Sequence, residues 1–352
     1  MSKNRKKSHR GAIAAIIIII LVLLAIIAML FVQGKLSKIN RTSEVVNDAV
    51  APAEETFEVD EETADTPNTI NPETVQWDKV EKVETLVPET AGKVTNILLI
   101  GQDARSGEGR QRSDSMVICS LNENTNTITL SSLMRDMYVP IPGYSDNRIN
   151  AAYAFGGMPL LDQVIEEDFG IKIDGNFEVN LDGFLASMEQ IGNLDMYLTA
   201  EEAAYMNENP AVGSGTDESS EVWYLTEGWN SLTPSQALAY SRMRHIGNSD
   251  YERTERQRNT LTAAFNKIAG SSATELLSVA DAVLPCLTTD MSQKDIMALV
   301  TMAQGMHLNE TSYRIPVDGT FSSESIHGMA VLVPDLQANS DYLKEYLYGT
   351  ES

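Results

Sequence analysis

The sequence predicts an α/β domain with a largely buried sheet, and three observations carry that expectation. Two short apolar runs, "TNILLIG" at 95 to 101 and "SMVICSL" at 115 to 121, are bounded by turn residues, as buried strands are. From "GGMPLLDQVIEEDFG" onward, helical periodicity alternates with strand-like stretches such as "IKIDGNFEVNL". The chain from residue 93 to 352 is long enough to bury one large core.

The elements before the domain are read from charge and hydropathy. Residues 1–10 form a basic leader with Lys3, Arg5, Lys6, Lys7 and Arg10, and residues 11–32 carry no charged side chain. A helix of that length, rising about 1.5 Å per residue, crosses the ~30 Å hydrocarbon core of a bilayer. The basic leader then stays cytoplasmic, so the rest of the chain lies outside as a single-pass protein of the cell membrane. A cleaved signal peptide has a shorter apolar region that ends in small residues, unlike "MLFVQGK". In residues 33–92 acidic side chains far outnumber basic ones after Lys35, Lys38 and Arg41, and large apolar residues are few, which predicts an extended, mostly disordered extracytoplasmic stalk.

Within the domain, "NENTN" turns the second strand into a hairpin partner, "TITLSSL". Thr199 with Glu202 reads as a capping box, and Thr233-Pro234 as a second helix start with a hydroxyl N-cap. Residues 207–221 read as a polar loop. Helices are expected near 252–268, 273–284 and 292–305, then a strand at "TSYRIPV" and a last helix from about 335. Only Cys119 and Cys286 occur, and Cys119 inside an apolar run reads as a buried free thiol. No Cys/His spacing supports zinc.

The arginines carry the chemistry. Of 14 arginines, ten fall in two windows: Arg105, Arg110, Arg112, Arg135 and Arg148, then Arg242, Arg244, Arg253, Arg256 and Arg258. Lys172 is the only lysine between Lys93 and Lys267, in a chain of net charge -24. Surface decoration mixes the two cations, whereas a planar five-donor fork grips phosphate oxygens in pairs. A multiply phosphorylated ligand is therefore expected. On a helix, Arg253, Arg256 and Gln257 share an arc of ~100° and would face one ligand, with Arg258 turned away. Arg242 and Arg244 share a side only if the chain is extended, so the helix begun at Thr233 is expected to end near Arg242.

Carboxylates complete the set. Asp103 follows the first strand and Asp114 opens the next, a hard-oxygen pair suited to Mg2+ bound jointly with phosphate; Mn2+ is the alternative. Asp136 follows the third strand beside Arg135. "GQDARSG" is not a P-loop. A lipid tail would need an apolar groove, for which Met158, Leu160, Leu161, Ile165, Phe184 and Met188 are candidates, although such spacing equally describes ordinary core.

Six blocks, "NILLIGQDAR", "RSDSM", "SSLMRDMYVPIPG", "RINAAYAFGG", "LTPSQALAYSRMRH" and "DYERTERQR", in that order behind the apolar segment, resemble the LytR-CpsA-Psr family of cell-wall ligases. The resemblance covers about residues 95 to 268 directly and extends to residues 93–352 as one catalytic domain. It implies a three-layer α-β-α fold with a central mixed sheet. It implies Mg2+-dependent transfer of an anionic or phosphate-linked glycopolymer, teichoic acid or capsular polysaccharide, from an undecaprenyl-pyrophosphate carrier to peptidoglycan. By position, the family's metal acids match Asp103 and Asp114, and its pyrophosphate arginines match Arg112, Arg242, Arg244 and Arg253. Gln257 matches the glutamine of the closing motif, Asp250 an acid before it, and Arg135 and Arg148 further basic positions of the pocket. The chain departs from the family at Arg258, where glutamine is common, and at "SSLMRD", where a proline often precedes the Arg-Asp pair. Asp103 and Asp250 are both candidates for the base that activates an acceptor hydroxyl.

Rival readings make different demands. A prenyl-pyrophosphate hydrolase would use the same metal and arginines with water as nucleophile. A membrane-bound transcriptional regulator or attenuator would bind nucleic acid, which calls for a basic face that so acidic an exterior does not offer. A wall-spacing protein leaves the arginine clusters without a purpose.

Overall fold

The computed structural model describes residues 38–42, 56–60, 66–80, 94–102, 110–180, 188–189, 191–210, 222–243, 256, 259–260, 263–264, 267, 281, 283–303, 306–309 and 313–348. Among them no helix is long and apolar enough to cross a membrane; the run at 11–32 lies outside the described residues.

The strands begin with β1 (Asn40–Arg41), β2 (Val94–Gln102), β3 (Ser113–Asn122) and β4 (Thr127–Leu133), the last two joined by the turn at 123 to 126. The short β5 (Tyr138–Val139) and β6 (Asn147–Arg148) pair with each other and lead into helix α1 (Ile149–Phe169). Strands β7 (Gly175–Asn180) and β8 (Leu194–Leu198), helix α2 (Ala200–Glu208), strand β9 (Gly228–Leu232) and helix α3 (Pro234–Arg242) follow. The C-terminal part holds β10 (Leu287–Thr289), α4 (Gln293–Ala303), β11 (His307–Leu308), β12 (Tyr313–Ile315), β13 (Phe321–Ile326), β14 (Met329–Pro334) and α5 (Leu336–Tyr348).

The main sheet runs β1-β10-β7-β2-β3-β4-β11, with β12 also on β4. It is mixed: β2 is antiparallel to β3 and parallel to β7, and β12 is parallel to β4. Because strand side chains alternate, β2 feeds two cores. Ile97 and Leu99 join Val117, Cys119 and residues of α2, α3 and α4 on one face. Leu98 and Ile100 join Met116, Ile118 and residues of α1 and α5 on the other. Helices therefore cover both faces, the expected three-layer arrangement. Each fully buried leucine, such as Leu98 at 0% exposure, is a position where truncation to alanine costs about 2–5 kcal/mol. Gly175 opens β7 under Met291, whose Cγ and Sδ would lie 2.6 Å from an added Cβ.

Met158, Leu161 and Ile165 are buried in the α1 core and Met188 in the opposite one, so these groove candidates are ordinary core; Phe184 lies outside the described residues. Cys119 is free and buried, and burial pushes its thiol up. Cys286 is free as well. Both helix starts hold: the Thr199 and Thr233 hydroxyls accept from Glu202 N and Gln236 N, and each pair closes a full capping box. Helix α3 ends at Arg242, where Met243 turns extended at φ -61, ψ 124, as the arginine spacing predicts.

The segment read as a free stalk docks on the domain in its described stretches. Ile39 and Val80 are buried, β1 pairs with β10, and residues 56–60 and 69 bond to the β13–β14 hairpin. Apolar residues at its ends and pairing backbone groups outweigh the polar composition of the segment between them.

Candidate active site

The sheet edge formed by the end of β2, the start of β3, the end of β4 and the end of β7 collects the polar side chains. Antiparallel pairing of β3 with its two neighbours puts Met116 opposite both Ile100 and Leu133. The residues just beyond, Arg112, Asp114, Arg135 and Asp136, therefore share one end of the sheet. A register shift between Gly101 and Gln102 interrupts the β2–β3 pairing there, immediately before Asp103.

Arg135 Nη1 donates to Asp114 Oδ1 at 2.6 Å, and its Nε lies 3.6 Å from Asp136 Oδ2. Asp136 links two arginines, since its Oδ1 is 3.4 Å from Arg148 Nε. Arg148 is only 3% exposed; its Nη2 donates to Asp60 and to the Ala330 carbonyl. Arg112 Nη1 donates to Asn150 Oδ1 at 3.4 Å, and its guanidinium lies 6.0 Å from the centre of the Phe155 ring. Burial pulls the Arg112 pKa down, the nearby Arg148 charge adds to that, and Glu58 opposes it. A buried Arg112 guanidinium held beside a second one, Arg148, gives the electrostatics of an anion site.

Helix α1 begins beside this pair. The positive end of its dipole favours anions. Asn150, Tyr153 and Phe155 project from its first turns: Asn150 accepts from Arg112, and Arg110 sits over the Tyr153 ring at 6.0 Å. Tyr153 Oη donates to Glu178 Oε2 at 2.6 Å, and Glu178 also accepts from Gln102 Nε2. Gln102 Oε1 in turn accepts from Gln111 N at 3.2 Å. Gln102, held by Glu178, thus joins the residues on either side of the segment 103–110, which opens with Asp103.

The structure brings together Arg112, Asp114, Arg135 and Arg148 of the sequence-derived set. Arg242 is placed by its backbone as the last residue of α3. Asp103, Arg244, Asp250, Arg253 and Gln257, like Arg105 and Arg258, lie outside the described residues. Arg256 is a correction: it does not face a ligand. It is 3% exposed, donating from Nε to Glu202 Oε1 at 2.9 Å and from Nη1 to the Met243 carbonyl at 3.1 Å. Helical spacing names an arc but not the side on which the core lies. Gln102, Asn150 and Tyr153 lie within the family-like blocks but, like Glu178, are not singled out by the sequence, because α1 starts without a side-chain cap and nothing local marks a polar residue in a strand as a partner.

Asp114 is about 30% exposed with Oδ1 engaged by Arg135. Mg2+ bound through one or two carboxylates, with phosphate and water completing its shell, fits such a residue. Among the described residues no group of three or more His, Cys, Asp or Glu could hold a metal by itself.

The LytR_cpsA_psr family profile matches residues 60–345. A protein of Oceanobacillus iheyensis named polyisoprenyl-teichoic acid–peptidoglycan teichoic acid transferase TagU is 32% identical over 242 residues, 66% of this chain and 69% of that protein. A Bacillus mycoides protein of the same name is 30% identical over 236 residues, 66% and 71% of the two chains. The crystal structure of B. subtilis TagV superposes with a TM-score of 0.55 at 25% identity, covering 74% of this chain and 99% of that one. A structure of TagT bound to LI-WTA gives 0.57 at 24% identity, covering 76% and 96%, and shares the fold.

Proposed function

The chain is a member of the LytR_cpsA_psr family, and on that premise we propose that it joins an anionic or phosphate-linked glycopolymer, carried on undecaprenyl pyrophosphate, to peptidoglycan. The relatives named as teichoic acid transferases support a teichoic-acid-type donor. The observation that carries the reading is the meeting of Arg112, ahead of β3, with Arg148, ahead of α1, beside the Asp114–Arg135 pair. Forks from separate elements converging on one point suit a diphosphate, not a solvated surface.

In this mechanism an acceptor hydroxyl attacks the phosphorus that bears the polymer, and the bond to the prenyl phosphate breaks. Arg112 and Arg148, with Arg242, Arg244 and Arg253, neutralise the charge gathering on the leaving phosphate. Arg135 holds Asp114 in place. A carboxylate, Asp103 or Asp250, takes the hydroxyl proton. Asp103 and Asp114 would hold Mg2+, which when bound would supply positive charge to offset that of the phosphates. The apolar run at 11–32 anchors the domain on the outer side of the cell membrane.

The test combines purified protein, a prenyl-pyrophosphate-linked glycan, a peptidoglycan oligomer, and Mg2+ or chelator. Joined polymer is expected only with acceptor and metal. Arg242→Ala and Arg244→Ala should each lose most product, since one transition-state contact is worth about 3–4 kcal/mol. Donor cleavage that proceeds equally without acceptor would identify a hydrolase instead.

A further inference from the structure

A carboxylate of the chain itself lies where the two arginines converge. Glu58 Oε2 is 3.6 Å from Arg112 Nε and 3.7 Å from Arg148 Nη1. The residues around it fix the segment in place. The Thr56 carbonyl accepts from Arg112 Nη2 at 2.7 Å and from Asn147 Nδ2 at 3.2 Å. Asp60 accepts from Arg148 and, at 2.7 Å, from Ala330 N, while its own N–H donates to the Gly328 carbonyl at 3.0 Å. Phe57 stacks on His327 with ring centroids 4.3 Å apart. Residues 56–60 therefore cross the arginines as a strap hung from the tip of the β13–β14 hairpin.

Glu58 differs from its neighbours in how it is held. Its side chain is 51% exposed, whereas those of Arg112 and Arg148 are 16% and 4% exposed. Its two approaches exceed the 2.7–3.2 Å of an N–H···O hydrogen bond, so charge alone keeps it there, and a half-exposed ion pair of that kind is weak. A diphosphate brings more charge and accepts two forks at once, so it prevails over one carboxylate at the same place.

We infer that Glu58 is an internal stand-in for a donor phosphate: it balances Arg112 and Arg148 while the site is empty, yields when the diphosphate enters, and thereby sets donor affinity. The inference rests on the reading of these arginines as the diphosphate site. Asp60 and Asp136 contribute to the resting balance but stay with Arg148, one through a hydrogen bond also shared with Ala330 N, the other inside the sheet-end cluster. The upward pull of Glu58 on the Arg112 pKa is the same contact seen electrostatically.

The full-length chain in detergent, titrated calorimetrically with inorganic pyrophosphate and Mg2+, tests this. Glu58→Gln keeps the shape of the strap and removes its charge, so pyrophosphate binding should tighten about three- to tenfold. Arg112→Ala should weaken it by about tenfold or more. Unchanged or weaker binding in Glu58→Gln, with Arg112→Ala still impaired, would overturn the stand-in and leave the diphosphate site standing. Binding indifferent to Arg112→Ala, or absent from wild type and Glu58→Gln alike, would overturn both.

Discussion

Glu202 serves two partners with its two oxygens: Oε1 accepts from Arg256 Nε at 2.9 Å, and Oε2 accepts from the Thr199 N–H at 2.9 Å. One carboxylate thereby closes the N-terminus of α2 and ties that helix to the chain beyond α3. Both charges are buried, and a buried pair that loses one member leaves the other uncompensated. Arg256→Ala should destabilise the domain by about 3–5 kcal/mol, read as a lowered urea midpoint. Arg256→Lys should recover little, because an ammonium cannot reach Glu202 and the Met243 carbonyl together in the same geometry.

Arg135 and Asp114 make the analogous pair at the sheet end, partly open to solvent. Arg135→Ala leaves Asp114 unsupported next to Asp136 and should lower kcat about 10- to 100-fold. Arg135→Lys should restore only part of that. Steady-state kinetics on a prenyl-pyrophosphate donor separates this from a folding defect when the thermal midpoint is followed alongside.

Chelation should abolish transfer, and Mg2+ should restore it, with Mn2+ as a substitute. Asp114→Asn should require more Mg2+ for half-maximal rate, whereas Asp162→Asn, outside the site, should not. A metal titration of each variant gives the comparison.

Two buried acids predict a pH dependence of stability. Burial pushes Asp162 up to about 7, with Asp290 and Glu166 adding to the shift against the Asn176 amide. Burial likewise pushes Asp168 up to about 8, helped by Glu167 and Asp146. A raised folded-state pKa means the native protein holds the proton more tightly than the unfolded chain. The stabilisation is complete below the ordinary aspartate pKa of about 4 and is lost as pH climbs through about 7 to 8. Urea midpoints should therefore fall from pH ~4 to pH ~8 and level off above that. Asp168→Asn, at a site where Oδ2 is buried without a hydrogen-bond partner, should flatten that slope.

Much of the architecture was legible because its signals are local. The β2–β3–β4 meander follows from apolar runs and a turn. The starts of α2 and α3 follow from threonine caps, and the end of α3 from the geometry that Arg242 and Arg244 would need. The sequence shows only the second stretch of α1, from Gly156 on: Gly157 at φ 67, ψ -156 kinks the helix ahead of Pro159, and the first stretch starts after Arg148 with no side-chain cap bond to mark it. The β13–β14 hairpin was missed because its two-residue loop, His327 at φ 52 and Gly328 at φ 74, lacks the usual Asn-Gly signature. Arg256 was given the wrong face because periodicity does not say which side of a helix meets the core. Glu58 was hidden in a stretch whose composition reads as solvated linker.

The pairing of β1 with β10 bears on how high the enzyme rides above the lipid. Lys38 Nζ meets Asp281 Oδ1 at 2.9 Å and Asn40 Nδ2 donates to the Pro285 carbonyl, so the chain is fastened to the sheet's outer edge by residue 38. With the span ending at residue 32 as proposed, five residues, 33–37, separate bilayer and fastening, at most about 20 Å when fully drawn out. On the proposed anchoring, so short a connection would keep the β1 edge of the sheet near the headgroups, within reach of a diphosphate on a membrane-held prenyl tail.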